Sequence, residues 1–197
     1  MRFLILILSM FSLSSYAAID QCDYDYDDFI IFEGNQTQSY NVDNNYYDFK
    51  LGCSSRVAAL YDGDDLIIYD GAKFKVQFVD DNYTHALLAI RKYTVAFYDG
   101  DDLFVYFNGK VNTAFVDDSY QDAGLFLLKD AGIFYDGDDL FYFCNGQIDK
   151  AFADDNQVPR RVRTPAGQRP SNTLAVNIGS DLFTLQTETC SLNRTSL

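Results

Sequence analysis

The stretch Tyr61-Asp62-Gly63-Asp64-Asp65-Leu66 occurs three times in the chain and decides the expected fold. The same six residues begin again at Tyr98 and at Tyr135, so both intervals are 37 residues. A second landmark, Phe-Val-Asp-Asp or Phe-Ala-Asp-Asp, keeps this interval and begins at Phe78, Phe115 and Phe152. A unit of fixed length copied along a chain is typical of repeat architectures, so we expect equivalent structural modules.

Two degenerate copies flank the three full ones. A step of 37 residues back from Tyr61 reaches Tyr24-Asp25-Tyr26-Asp27-Asp28-Phe29, which keeps the tyrosine and the aspartates. After the third full copy, residues 179–183 resemble residues 137–141 at a distance of 42, which indicates a fifth, truncated copy after a five-residue expansion. We therefore expect five repeats in a single domain, 18–197, at approximately 18–54, 55–91, 92–128, 129–171 and 172–197.

Each copy has the sequence pattern of β-strands and tight turns rather than helices, because short apolar runs are separated by Gly, Asp and Asn. Around Tyr98 the pattern predicts strands at Tyr93–Tyr98, Leu103–Phe107, Val111–Val116 and Gly124–Lys129. Two-residue turns of type I′ need positive φ at both positions, and Asn or Asp followed by Gly supplies them. Such pairs occur at Asp70-Gly71, Asn108-Gly109 and Asn145-Gly146, and Asp99-Gly100 is predicted to open the first hairpin in the same manner.

The faces of the strands favour a β-propeller. Leu103–Phe107 and Leu125–Leu128 scarcely alternate, which predicts sheets covered on both sides. Small residues recur in what we interpret as the first strand of each copy, as expected if those strands crowd toward a shared axis: Ala58-Ala59, Ala96 and Ala131-Gly132. We therefore predict an all-β fold of tandem four-stranded repeats of about 37 residues, forming a small five-bladed propeller. A β-sandwich or a linear β-repeat stack is the alternative, and five copies disfavour a three-copy trefoil.

The N-terminus predicts export. A short basic start, an apolar run over 3–11 and the small residues Ser15 and Ala17 are the pattern of a signal peptide cleaved after Ala17. We therefore expect a secreted or periplasmic protein with no membrane insertion after signal cleavage. Lys and Arg number 15 against 29 Asp and Glu, and loss of Arg2 leaves 14 against 29, a charge of −15. This charge argues against nucleic acid and against anionic membrane surfaces as partners.

Four cysteines, an even set, predict two disulfides in an oxidising compartment: Cys22, Cys53, Cys144 and Cys190. Three connectivities are possible, and the sequence does not choose among them. The predicted strands place Cys22 on an innermost strand and Cys53 on an outermost one, about 14 Å apart. That distance is beyond the reach of a disulfide, and no pairing fits the ideal propeller completely.

A basic segment over 156–171 stands apart from the acidic repeats and contains all three prolines and four arginines: Pro159, Arg160, Arg161, Arg163, Pro165, Arg169 and Pro170. We expect a loop or irregular strand that packs against the acidic surface through ion pairs. The alternative is a basic loop that a partner or a protease recognises.

The repeated acidic loops are the best functional candidates. Tyrosines beside carboxylates offer an aromatic platform next to hydrogen-bond acceptors, and equivalent weak sites gain avidity on a repetitive glycan or protein ligand. The candidate ligand-binding residues are Tyr61, Asp62, Asp64, Asp65, Tyr98, Asp99, Asp101, Asp102, Tyr135, Asp136, Asp138 and Asp139. Ordinary strand-end packing of the tyrosines is the simpler alternative. We predict a non-enzymatic binding or scaffold module.

Calcium binding is an alternative function, because hard cations take several carboxylate and carbonyl oxygens. The candidate ligands are Asp62, Asp64, Asp99, Asp101, Asp136 and Asp138, with help from the pairs Asp80/Asp81, Asp117/Asp118 and Asp154/Asp155. Simple Asp-Gly turn chemistry explains the same residues without a metal. A carboxylate-based glycoside hydrolase is the least favoured function, because the acidic pairs recur in every copy and the single histidine, His85, has no nucleophile motif around it.

Overall fold

A computed structural model of the protein describes residues 18–25, 27–42, 49–79, 85–116, 122–153, 157–162 and 172–196. These residues form five antiparallel β-sheets, as expected for an all-β repeat protein. Within this part of the chain, no helix is long and apolar enough to cross a membrane. The predicted signal peptide, 1–17, lies outside the described residues.

Each sheet consists of strands that follow one another in the chain. The first sheet contains β1 (Gln21–Tyr24), β2 (Asp28–Glu33) and β3 (Gln36–Asn41). The second contains β4 (Lys50–Cys53), β5 (Ala58–Tyr61), β6 (Asp65–Tyr69) and β7 (Phe74–Phe78). The third contains β8 (Leu87–Arg91), β9 (Thr94–Tyr98), β10 (Asp102–Phe107) and β11 (Lys110–Phe115). The fourth contains β12 (Gly124–Leu128), β13 (Ala131–Tyr135), β14 (Asp139–Cys144) and β15 (Gln147–Phe152), and the fifth contains β16 (Arg160–Arg161), β17 (Thr173–Ile178), β18 (Asp181–Gln186) and β19 (Ser191–Ser196).

The predicted turns are confirmed where Asn precedes Gly. Asn108 and Gly109 have φ of 47° and 87°, and Asn145 and Gly146 have φ of 50° and 83°, as a type I′ turn requires. Asp70-Gly71 differs, because only Gly71 has positive φ. The Asp70 carboxylate accepts the amides of residues 72 and 73, each at 3.1 Å, and this bonding opens a wider turn.

The prediction that Gly124–Lys129 closes the repeat around Tyr98 was wrong. The strand there, β12, pairs with β13 and begins the fourth sheet. A periodic sequence gives the length of a unit but not the point where one sheet ends. The small residues of β5, β9 and β13 therefore lie in second strands, and Gly132 is small because an added Cβ would lie 2.3 Å from the Phe143 ring.

The two end copies also differ from prediction. The fifth copy is not truncated, because β16 to β19 complete a four-stranded sheet. The first sheet has three strands among the described residues, and β1, which ends at Tyr24, is the counterpart of β5, which ends at Tyr61. A step of 37 residues back from β4 falls at 13–16, outside the described residues.

Successive sheets pack face to face like the blades of a propeller. β1 contacts β4, β4 contacts β8, β8 contacts β12, and β12 contacts β17. Four clusters of buried side chains fill the four interfaces between neighbouring sheets, so the core lies between the blades rather than inside a two-sheet sandwich. In the described part of the chain, no contact of similar extent joins the first and fifth sheets, so the ring is not closed.

Disulfides join neighbouring sheets at both ends of the arc. Cys22 bonds to Cys53 with a Cα–Cα distance of 6.1 Å, and Cys144 bonds to Cys190 with a Cα–Cα distance of 5.8 Å. The conflict expected for Cys22 and Cys53 came from the wrong grouping of strands. Cys53 belongs to β4, which begins the second sheet and contacts β1 directly.

The basic segment contributes the short strand β16 through Arg160 and Arg161, both exposed, which pairs with β17. Arg163, Pro165, Arg169 and Pro170 lie outside the described residues, so the expected packing of this segment on the acidic surface stays a prediction.

Candidate binding edge

The three acidic loops, residues 62–65, 99–102 and 136–139, share one hydrogen-bond pattern. In the middle loop, Asp99 Oδ1 accepts the backbone N–H of Asp101 at 3.1 Å and of Asp102 at 2.7 Å. Asp62 and Asp136 accept the equivalent pairs of amides at 2.8–3.3 Å. Asp25 of the first copy does the same for residues 27 and 28. The first Asp of each loop is therefore the acceptor of an Asx turn.

The predicted tyrosine platform needs correction, because the three rings are buried. Tyr61, Tyr98 and Tyr135 are at most 1% exposed. Each hydroxyl donates to the carbonyl of the loop glycine two residues later, at 2.9 Å for Tyr61 and 2.7 Å for Tyr98. The Tyr61 ring lies 4.6 Å from that of Phe97 in the next sheet, and the Tyr98 ring lies 4.6 Å from that of Phe134. The tyrosines therefore fix the loops by hydrogen bonds and pack between neighbouring sheets.

Burial raises the pKa of the first carboxyl in each acidic loop. The pKa of Asp99 rises to about 7, and those of Asp62 and Asp136 rise to about 6, because the charged forms lose water. The loop amides partly offset this effect, and neighbouring carboxylates add to it. Each of the three acidic loops therefore contains a buried carboxyl whose charged form is destabilised by loss of water.

The carboxylates of each loop lie close enough together to hold a cation. One oxygen from each of the three aspartates lies within 4.8 Å of the others, in all three loops. In the third loop, Asp136 Oδ2 is buried, and within the described residues no donor bonds to it. The accessory pairs Asp80/Asp81, Asp117/Asp118 and Asp154/Asp155 all lie outside the described part of the chain.

Three exposed phenylalanines, which we call the Phe rim, lie beside the acidic loops and were not among the predicted site residues. Phe78, Phe115 and Phe152 are 66%, 67% and 68% exposed. Each ends the last strand of its sheet and pairs directly with the last Asp of the loop: Phe78 with Asp65, Phe115 with Asp102, and Phe152 with Asp139. Opposed residues of an antiparallel pair project from the same face, so each ring lies near a carboxylate.

The alternation of the outer strands could have revealed the Phe rim. Phe115 lies between Ala114 and Val116, which point inward, and Phe152 lies between Ala151 and Ala153 in the same way. A period of two therefore places each ring on the opposite face from those neighbours, and at the end of the outer strand the ring is exposed. The end sheets carry polar residues at the matching position, where Asn41 pairs with Asp28 and Ser196 pairs with Asp181.

A cavity of about 300 Å³ lies between the second and third sheets, at the opposite end of the strands from the acidic loops. Its lining includes Arg56, Asp70, Tyr93 and Tyr106. The Tyr106 hydroxyl donates to Asp70 Oδ2 at 3.1 Å, and Lys75 pairs with the same oxygen at 2.8 Å. These groups bond to one another and tie the two sheets together. None of the predicted site residues lines this cavity.

No protein-family model matches the sequence, and no curated protein is significantly similar to it. BBS1N, solved in complex with ARL6DN and soaked with mercury, is 14% identical with a TM-score of 0.43, over 87% of this chain and 62% of that one. Kluyveromyces lactis Hsv2 is 14% identical with a TM-score of 0.43, over 91% and 63%. PorZ, a surface component of the type-IX secretion system of Porphyromonas gingivalis, is 8% identical with a TM-score of 0.45, over 91% and 26%. This chain spans less than two thirds of each, and at these values the similarities do not bear on function.

Proposed function

We propose that this protein is a non-enzymatic binding or scaffold module, secreted or periplasmic, that holds a repetitive glycan or protein ligand along the Phe rim and the acidic loops. The observation that carries the proposal is the equal exposure of Phe78, Phe115 and Phe152 in three equivalent positions. Scattered apolar surface residues need no explanation, but large apolar groups repeated beside polar ones are typical of interaction sites.

Repetition of the site supports a repetitive ligand. One Phe beside one acidic loop offers a small contact area and weak affinity. Three such contacts on a rigid arc of sheets bind together with a raised effective concentration, provided that the ligand has matching spacing. Because the same residues recur in each copy, the arrangement favours multivalent contact over a single asymmetric site for chemistry.

The test is a binding assay with a triple variant, Phe78→Ser, Phe115→Ser and Phe152→Ser. The probes are insoluble chitin, cellulose and β-glucan, together with bead-bound poly-L-arginine. We expect the wild-type protein to bind at least one probe and the triple variant to lose that binding. Val158→Ser is the control for loss of an exposed apolar side chain, because Val158 is 51% exposed and is not one of the three rim residues. Absence of wild-type binding to every probe, or unchanged binding by the triple variant, would overturn the proposal.

Calcium binding is a second candidate function, favoured by the buried Asp136 Oδ2. A hard cation could bind this oxygen together with the carboxylates of Asp138 and Asp139. Lys150 pairs with Asp139 and therefore competes with a metal at this loop. Lys150→Thr, which copies Thr113 of the third sheet, is expected to increase the rise in melting temperature that ~5 mM calcium produces. Asp136→Asn is expected to abolish that rise, and equal melting temperatures of the wild-type protein in calcium and in EDTA would exclude this candidate.

A further inference from the structure

We infer that the ligand of the Phe rim is a protein segment that presents Lys or Arg at intervals, with one cation over each exposed Phe ring and against the neighbouring Asp. This inference rests on the proposed function and names the partner class. At two places the molecule already binds its own cations in this manner, and its net charge favours a cationic partner.

The first internal example lies in the fourth sheet. Lys150 on β15 is directly opposite Phe141 on β14. Its Nζ lies 5.3 Å from the centroid of the Phe141 ring and also pairs with Asp139, two residues before that Phe. The ammonium group thus gains a cation–π contact and an ion pair together.

The fifth sheet repeats this arrangement with arginine. Arg194 on β19 is directly opposite Phe183 on β18. Its guanidinium carbon lies 5.7 Å from the Phe183 centroid, and its Nη2 pairs with Asp181. Lys150 and Arg194 are counterparts in their sheets, so an Asp and a nearby Phe in this fold hold either basic side chain.

Each rim position places the same two kinds of group side by side, an outward Phe ring and a carboxylate that is half-buried in the second and third sheets and buried in the fourth. Each exposed Phe is opposite the last Asp of an acidic loop, and Asp139 is shared between the internal example and the rim position of Phe152. A cation from a partner would lie over an outward ring with a carboxylate beside it. Lys or Arg supplies such a cation on a stem long enough to reach both groups.

Overall charge favours a cationic partner over the other candidates. The chain has a formal net charge of −14, so a second copy of the same surface would be repelled. A neutral glycan could stack on the rings but would gain no energy from the net charge. A basic protein segment gains both contacts, and its association rate is raised by long-range attraction.

The experiment measures the affinity of a fluorescent poly-L-arginine by anisotropy over a range of salt concentrations, beside a soluble neutral β-glucan. The Phe78→Ser, Phe115→Ser, Phe152→Ser triple variant keeps the net charge of the wild-type protein. We expect it to bind poly-L-arginine at least tenfold more weakly at ~150 mM salt, where nonspecific attraction is screened, with Val158→Ser unchanged. A circular dichroism spectrum and melting temperature equal to those of the wild-type protein would establish that the triple variant is folded.

Two outcomes would overturn the inference and are distinguishable from failure of the proposed function. Equal poly-L-arginine affinity of wild-type and triple variant would show that only diffuse charge acts. Rim-dependent binding of the β-glucan without rim-dependent binding of poly-L-arginine would leave the proposed module standing with a glycan as its ligand. If the wild-type protein binds neither these probes nor the insoluble polysaccharides, both the inference and the proposed function fail.

Discussion

The fourth and fifth sheets join equivalent strands by different turns. In the fourth sheet the last pair is Tyr135 with Leu140, which leaves a loop of four residues, 136–139. In the fifth sheet Ile178 pairs with Asp181, which leaves a turn of two residues, 179–180. The fourth sheet has the buried Asp136 where the fifth has the buried Ile178, which are 1% and 2% exposed. The short turn therefore closes with an apolar residue at this position, whereas the longer loop has a carboxylate there that accepts two loop amides.

The three central copies share features that the fifth sheet lacks. Gly179 keeps positive φ, with 57° against 126° for Gly137, so the turn glycine is common to both sheets. The buried acid, the tyrosine and the outward Phe occur together in the second, third and fourth sheets. A carboxyl that is buried at a cost, next to an exposed ring, is the kind of local conflict that proteins tolerate at functional sites.

The largest effect should come from the tyrosine that distinguishes the two kinds of hairpin. Tyr98→Ala removes a fully buried ring that packs on Phe134 and holds the Gly100 carbonyl, so we expect the free energy of unfolding to fall by about 3–5 kcal/mol. Asn177→Ala changes the matching, half-buried position of the fifth sheet and should cost less than about 1 kcal/mol. Chemical denaturation measures both values. Similar losses for the two variants would contradict the distinction between the hairpins.

The buried aspartates predict an unusual dependence of stability on pH. The folded-state pKa values of Asp62, Asp99 and Asp136 lie above the ordinary value of 3.8, so the folded state binds more protons than the unfolded state between about pH 4 and 7. Their contribution is fully present below the unfolded pKa and is lost as pH rises through the folded pKa. We therefore expect the melting temperature to fall between pH 4.5 and 7.5.

Asp99→Asn tests this origin, because the Asn side-chain oxygen can accept the same two amides without a charge. The variant should be more stable than the wild-type protein at pH 7.5, by roughly 1–2 kcal/mol, and about equal to it at pH 4.5. Asp70 is the opposite case, since Lys75 holds the pKa of that carboxyl below its usual value and the associated stability is lost only as pH falls below about 4. A wild-type melting temperature that rises from pH 4.5 to 7.5 would show that other groups dominate.

Much of the fold follows from sequence because the repeat supplies the same information several times. The interval from Tyr61 to Tyr98 gives the unit, and the strands predicted around Tyr98 lie within one residue of β9 to β12 at every boundary. Periodicity does not mark where a sheet begins, since any starting point in a repeat gives the same interval. That missing information caused the wrong grouping of β12 and the apparent conflict over Cys22 and Cys53.

The candidate site could be predicted only in part from the sequence. The Asp residues of the loops were candidate site residues from their repetition, and within each loop one oxygen of each lies within 4.8 Å of the others. The loop tyrosines are ambiguous in sequence, because a Tyr at a strand end serves packing or display equally well, and burial depends on the next sheet. Phe115 lies in an apolar run between Ala114 and Val116, so its hydrophobicity alone suggests burial. Only the alternation of the strand, with Ala114 and Val116 pointing inward, indicates that the Phe115 ring is exposed.

The smallest expected effect on stability belongs to the Phe rim. It distinguishes an exposed Phe from a buried Phe within one sheet. Phe115 is 67% exposed and Phe104 is 5% exposed, although both belong to the third sheet. Phe115→Ser should change the free energy of unfolding by less than about 0.5 kcal/mol. Phe104→Ser should cost several kcal/mol, because it removes a core ring and buries a hydroxyl. A loss for Phe115→Ser as large as that for Phe104→Ser would mean that the rim ring packs within the fold, and the case for a ligand-binding edge would then lose its main support.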